Sequence, residues 1–202
     1  MFCCSFKHKM KTSFHIGLLL IGLSAEIVSG QDYVLLANGE SFKGEIISFN
    51  QSVIGIRPDS QDKVQKLTAD QINYMLKGSD AYYSKKIIAI NTKNGATISQ
   101  LVRMSSWGKI RVYAHNAGYN RYSIVNYYLE KDDSGLILIG TTSINRYHDK
   151  VMLAEIAEAV SNLFSDNSDL KARFLIDKKI EKRKVILRYV REYNQGYQKA
   201  LK

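Results

Sequence analysis

Cysteine, proline and histidine are scarce in this chain, and each scarcity removes a class of function. The two cysteines, Cys3 and Cys4, stand at the very start. From Ser5 onward the chain can form no disulfide, no thiolate metal site and no cysteine nucleophile. Pro58 is the only proline, so no proline-rich linker separates domains. Of the histidines, His115 and His148 are too far apart in sequence to read as a ligand pair, and His8 and His15 lie at the start. There is no glycine-rich phosphate loop, His-Glu-x-x-His helix, Gly-x-Ser-x-Gly elbow or calcium-loop pattern. The main apolar run, Ile16 to Leu23, has eight residues. A spanning helix needs about 20.

What that run does fit is a secretory signal. Lys7, Lys9 and Lys11 precede it, and Ile27-Val28-Ser29-Gly30 leads from it into polar Gln31-Asp32. Basic start, short apolar core and small-residue exit predict a signal peptide over 1–30, cut between Gly30 and Gln31. Met10-Lys11 would open such a signal equally well, so the true start is either Met1 or Met10. No cysteine follows the apolar core where a lipoprotein would be acylated. The expected product is exported, soluble, and periplasmic or associated with the outer surface.

The expected product, Gln31 to Lys202, has 172 residues, long enough to bury a core without covalent staples. It carries 26 basic and 18 acidic residues, a balance of +8. Eleven of the basic residues fall in Lys171 to Lys202 against three acids, so that segment alone accounts for the whole excess. A basic segment suits anionic lipid, lipopolysaccharide, an acidic polymer or an envelope protein, and export argues against nucleic acid.

From Tyr33 to about Gly140, short β-branched and aromatic runs alternate with turn residues, the signature of strands. The expected strands are Tyr33 to Leu36, Phe42 to Phe49, Val53 to Arg57, Lys63 to Leu67, Ile87 to Asn91, Thr97 to Met104, Lys109 to His115, Tyr119 to Glu130 with a break near Val125, and Leu136 to Ile139. Asn38-Gly39 and Asn94-Gly95 fit tight type I′ hairpins, whose two central residues have positive φ. Asp132-Asp133-Ser134-Gly135 reads as a longer hairpin loop. An offset of 56 residues lays Phe42 on Ile98, Ile46 on Val102, Ile54 on Ile110 and Ile56 on Val112. That is open to reading as a duplicated β unit, against the plainer view that hairpin meanders share such spacing.

After Asn145 the apolar period becomes helical. Met152, Leu153, Ile156, Val160, Leu163 and Phe164 share one side of a helix over 149–164, which should pack on the sheet. Ser165-Asp166-Asn167-Ser168 supplies caps for a short helix to about Ile176, with Leu170 and Phe174 inward. A last helix is expected from Lys178 to Lys199. Its stripe of Val185, Ile186, Tyr189, Val190, Tyr193, Tyr197 and Leu201 lies opposite Lys184, Arg188, Arg191, Lys199 and Lys202.

Residues with chemistry to offer have plainer explanations here. His148-Asp149 reads as a helix start rather than an oriented base. His115-Asn116-Ala117-Gly118 reads as a turn. Asp132 and Asp133 sit in a solvated loop with nothing to tune them as an acid-base pair. Thirteen tyrosines are present, with Tyr113, Tyr119, Tyr122, Tyr127 and Tyr128 close together. They suit either a core of strands or a surface that contacts sugars or proteins.

The order of several fragments is similar to a known group. Val34-Leu35-Leu36-Ala37-Asn38-Gly39-Glu40-Ser41-Phe42-Lys43-Gly44-Glu45-Ile46, Ala81-Tyr82-Tyr83-Ser84-Lys85-Lys86, Gly108-Lys109-Ile110-Arg111-Val112-Tyr113, Tyr127-Tyr128-Leu129-Glu130-Lys131, Leu163-Phe164-Ser165-Asp166 and Glu192-Tyr193-Asn194 resemble the exported proteins of unknown function common in Bacteroidota. The resemblance implies a Gram-negative envelope setting and nothing catalytic. Those relatives often carry a cysteine where this chain reads Asp166-Asn167-Ser168, so a disulfide role does not transfer.

Taken together, the sequence predicts an α+β protein: an antiparallel β meander or small barrel-like sheet over 31–140, then about three helices over 141–202 packed on it. The expected function is a non-enzymatic, envelope-associated binding or structural module, and the alternative is a hydrolase acting on envelope polymers from a β-sheet cleft. No residue is nominated as catalytic, cofactor-binding or metal-ligating. Lys184, Arg188 and Arg191 are the candidate contacts to an anionic surface.

Overall fold

The structure, a computed structural model, describes residues 31–88, 96–117, 124–132, 134–141 and 150–200, with the backbone alone for 150–153. The leader and Gly30, the Asn94-Gly95 turn, Tyr119, Tyr122, Asp133, His148, Leu201 and Lys202 lie outside the described residues.

Among the described residues, ten strands precede three helices: β1 (Asp32–Leu36), β2 (Ser41–Phe49), β3 (Val53–Pro58), β4 (Gln65–Thr68), β5 (Ile72–Lys77), β6 (Asp80–Ile88), β7 (Thr97–Ser106), β8 (Ile110–Asn116), β9 (Val125–Lys131), β10 (Ile137–Thr141), then α1 (Lys150–Leu163), α2 (Ser168–Ile176) and α3 (Arg183–Ala200). The expected α+β order holds. All ten strands join one sheet in the order β10-β9-β8-β7-β6-β5-β1-β2-β3-β4. The first four run outward as a meander. A 3-10 turn over Ala69–Gln71 then returns the chain to the other side of β1, and β5 to β10 meander away in the opposite direction.

The strand β5 was not expected, and its register explains why. Leu35 pairs with Tyr74 but Leu36 pairs with Ile72, a slip that brings Ile72 and Met75 into one core three positions apart. That spacing erases the period of two by which strands are recognised. The Asn38-Gly39 turn also differs from a type I′ hairpin. Gly39 has φ of 90° and the Gly39 N–H donates to Leu36 O, while Asn38 keeps a negative φ and its side chain accepts from Glu40 N–H. This is a three-residue loop in which glycine alone takes the left-handed position.

The proposed repeat holds for strand order and fails for register. Glu45 pairs with Arg57, yet 56 residues further on Tyr113 pairs with Met104 and not with Leu101. A shift of three reverses which residues share a face. Ile46 and Ile56 accordingly occupy one core, whereas Val102 and Val112 lie in different ones.

Curvature divides the sheet. The β2–β3 turn folds back onto β7, where Gln51 O accepts from Leu101 N–H at 2.7 Å and Gln100 Nε2 donates to Ser52 Oγ at 2.7 Å. Inside that curl lies a core of Val34, Ile54, Ile56, Met75 and Leu101. At the other end the helices cover Ile110, Val112, Leu129 and Ile139 with Val160, Phe164, Phe174, Ile186 and Tyr193. Asn167 caps α2 by accepting from Leu170 N–H. The last helix begins at Arg183 rather than Lys178, because Asp177 captures the intervening turn: its carboxylate accepts from Lys179 N–H and from Tyr189 OH.

Candidate functional site

Of the polar candidates, the two that are described, His115 and Asp132, do not meet. His115 is buried on β8, paired with Asn126 at one end of the β8–β9 ladder, while Asp132 follows Lys131 at the other end and accepts from Lys109 at 2.6 Å. Among the described residues neither ring nitrogen of His115 has a hydrogen-bond partner, and burial pushes its pKa down. In the tyrosine cluster, Tyr113 and Tyr128 are buried and Tyr127 is half-buried, which is the core reading for those three. On α3, Lys184, Arg188 and Arg191 are exposed opposite the buried stripe, as the helical period required. Arg188 is committed within the protein, however: its guanidinium pairs with Asp177 at 2.8 Å and lies over the Tyr189 ring.

Sequence reasoning missed the best-satisfied buried charge. Glu130 on β9 is 4% exposed and accepts from Lys85 Nζ at 2.7 and 2.8 Å, from Arg111 at 3.2 Å and from Tyr113 OH at 2.9 Å. Burial, followed by the charge of Glu130, drives the Tyr113 pKa upward. The cluster ties β6, β8 and β9 together across the face opposite the helices. Engaged by two cations and a phenol, Glu130 acts as a structural lock between these strands.

Between the two cores of the other face, the described residues form a cleft. The registered row Tyr82, Arg103, Ala114 crosses β6, β7 and β8, and continues to Tyr127, which Arg183 of α3 covers at 4.1 Å. Beside the row stands the β2–β3 turn with Phe49, Asn50 and Gln51. The result is a cleft of about 520 Å³, lined also by Asp80, Asn116 and Val125. Clefts at such junctions are common ligand sites. Phe49 and Tyr82 form one wall, ring centroids 4.9 Å apart, and Arg103 reaches Asp80 at 3.5 Å at the mouth. Burial and the nearby Asp80 charge raise the Tyr82 pKa against the opposing pull of Arg103, so its phenol is neutral and able to donate. These residues come from separate stretches of sequence, and no motif announces them.

The fold and cleft define an α+β protein with one curled antiparallel sheet and a helical cover over part of one face. No known protein family, curated protein or solved structure matches this chain. Among the described residues no group of His, Cys, Asp or Glu is placed to hold a metal ion, and no helix is long and apolar enough to cross a membrane.

Proposed function

We propose that this protein is a non-enzymatic binding module of the cell envelope, exported with removal of 1–30, which takes its ligand in the cleft between its two cores. The observation that carries this reading is the cleft built on the registered row Tyr82–Arg103–Ala114, in which Arg103 is exposed, Tyr82 half-buried and Ala114 buried, flanked by the Phe49 ring and the Asn50 and Gln51 amides. Aromatic walls with amides and an Arg–Asp pair suit a polyhydroxylated chain, whose C–H faces lie on rings while its hydroxyls exchange donors and acceptors with the rim. The secretory signal expected over 1–30 motivates the same setting. The hydrolase alternative is less well supported, since two-carboxylate hydrolysis needs acids about 5–9 Å apart across a bond, and Asp80 is the one carboxylate lining the cleft among the described residues.

The test uses exported protein, whose N-terminal residue should be Gln31, and measures binding to purified lipopolysaccharide and to soluble peptidoglycan fragments. Y82A and R103A should each weaken binding about tenfold, as the loss of one good polar or stacking contact does. Equal binding by wild type and both variants, or no binding to either polymer, would overturn the cleft assignment.

A further inference from the structure

We infer that the corner between α2 and α3 is a membrane-docking surface that inserts Leu175 and Ile176 between the headgroups of an anionic bilayer. This deepens the envelope-association half of the reading above and is independent of the cleft. Ile176 is 78% exposed and Leu175 50% exposed, side by side at the end of α2, and Ala172 one turn earlier is exposed on the same face. Elsewhere α2 behaves as an ordinary packed helix, with Leu170 and Phe174 buried. Its outward stripe is therefore a second apolar face left to solvent, not a failure of amphipathicity.

Charge identifies the occupant. Immediately after Ile176 the chain carries Lys178, Lys179, Lys182 and Lys184, all exposed. The acids beside them differ in availability: Asp177 is engaged by Arg188 and Tyr189, leaving Glu181 as the one acid within 178–184. Exposed apolar side chains followed at once along the chain by exposed lysines match an anionic interface, where alkyl groups enter the acyl boundary while ammonium groups stay with the phosphates. A protein partner would seat an exposed isoleucine equally well, but has no reason to require four exposed lysines in the segment that follows it. The contact thus centres on this corner, and of the outer row Lys184, Arg188 and Arg191 it shares only Lys184, Arg188 being held by Asp177.

The experiment is co-sedimentation of the whole protein with vesicles of mixed phosphatidylglycerol and phosphatidylcholine, and with phosphatidylcholine alone, at low and high salt. Wild type should bind the anionic vesicles, and bind them less at high salt because screening weakens the lysines. The double change L175S/I176S should reduce binding at least tenfold at both salt concentrations, and K178Q/K179Q/K182Q should do so at low salt. Both sites are exposed, so melting temperatures should stay within a degree or two of wild type. Y82A, which alters only the cleft, should sediment as wild type does. Failure of wild type to bind anionic vesicles, equal binding to neutral ones, or undiminished binding by L175S/I176S would each overturn the proposal and leave the cleft assignment standing.

Discussion

At the scale of single residues, the most consequential side chain is a carboxylate that no motif marks. Glu130 is surrounded by Lys85, Arg111 and Tyr113, with Lys85 itself mostly buried. Removing one member of such a group leaves its partners' charge uncompensated in a dry place, which costs about 3–5 kcal/mol. Glu130→Ala should lower folding stability by about 3 kcal/mol, because Arg111 and Lys85 retain some access to water. Urea unfolding measures this, and a loss below about 1 kcal/mol would show that the cluster contributes little. Asp166 holds Tyr193 OH and Lys131 in a comparable but more exposed arrangement at the sheet–helix junction.

At the scale of elements, α3 is attached to the sheet by more than its apolar stripe. Asn194 imitates a neighbouring strand: its Oδ1 accepts from Ile110 N–H at 2.9 Å and its Nδ2 donates to Ile110 O at 2.8 Å. The approach is close because residue 108 is glycine, and a Cβ there would fall 2.2 Å from the Asn194 side chain. Gly108→Ala should therefore expel Asn194 and cost about 2 kcal/mol, combining overpacking with two lost hydrogen bonds. Asn194→Ala should cost a similar amount. The double variant should lose clearly less than the sum of the two, since deleting the amide makes room for the methyl group. Strict additivity of the melting shifts would show that the two residues do not compete for that space.

At the scale of the whole molecule, the packing sets an acid response in two stages. Burial lowers the pKa of His115 below the ordinary value of 6.5. As pH falls through that value, the unfolded chain takes up a proton that the folded chain refuses, so stability falls. Partial burial works to raise the Asp166 carboxyl, but hydrogen bonds from Lys131 and Tyr193 outweigh it and hold it low. A hydrogen bond from Lys179 N–H, with help from Tyr189 and Arg188, lowers Asp177. For these two groups the stability is present above the ordinary value of 3.8 and is lost as pH drops through their lower folded values. Urea midpoints should thus decline first below about pH 6.5 and again below about pH 4. His115→Leu should diminish the first decline without loss at neutral pH, because it removes two unpaired buried polar atoms. An unchanged slope between neutral pH and pH 5 would show that His115 is solvated in solution.

Local physics made part of this molecule legible in one dimension. The buried side of α3, the inward Leu170 and Phe174, the Asn167 cap and most strands follow from side-chain period and capping chemistry, which act between residues a few positions apart. Where register intervened, reading along the chain failed. The slip at Leu35–Leu36 hid β5, and a three-residue difference in pairing undid the apparent repeat. The sites were harder still. Glu130 meets a lysine 45 positions away, and the cleft joins Phe49, Tyr82 and Arg103 from three strands. Composition and period determined the class of the protein, its basic segment and its helical faces. Only the curl of the sheet decided which polar residues converge, because convergence depends on strand order and twist, and those are settled by long-range burial rather than by any neighbouring residue.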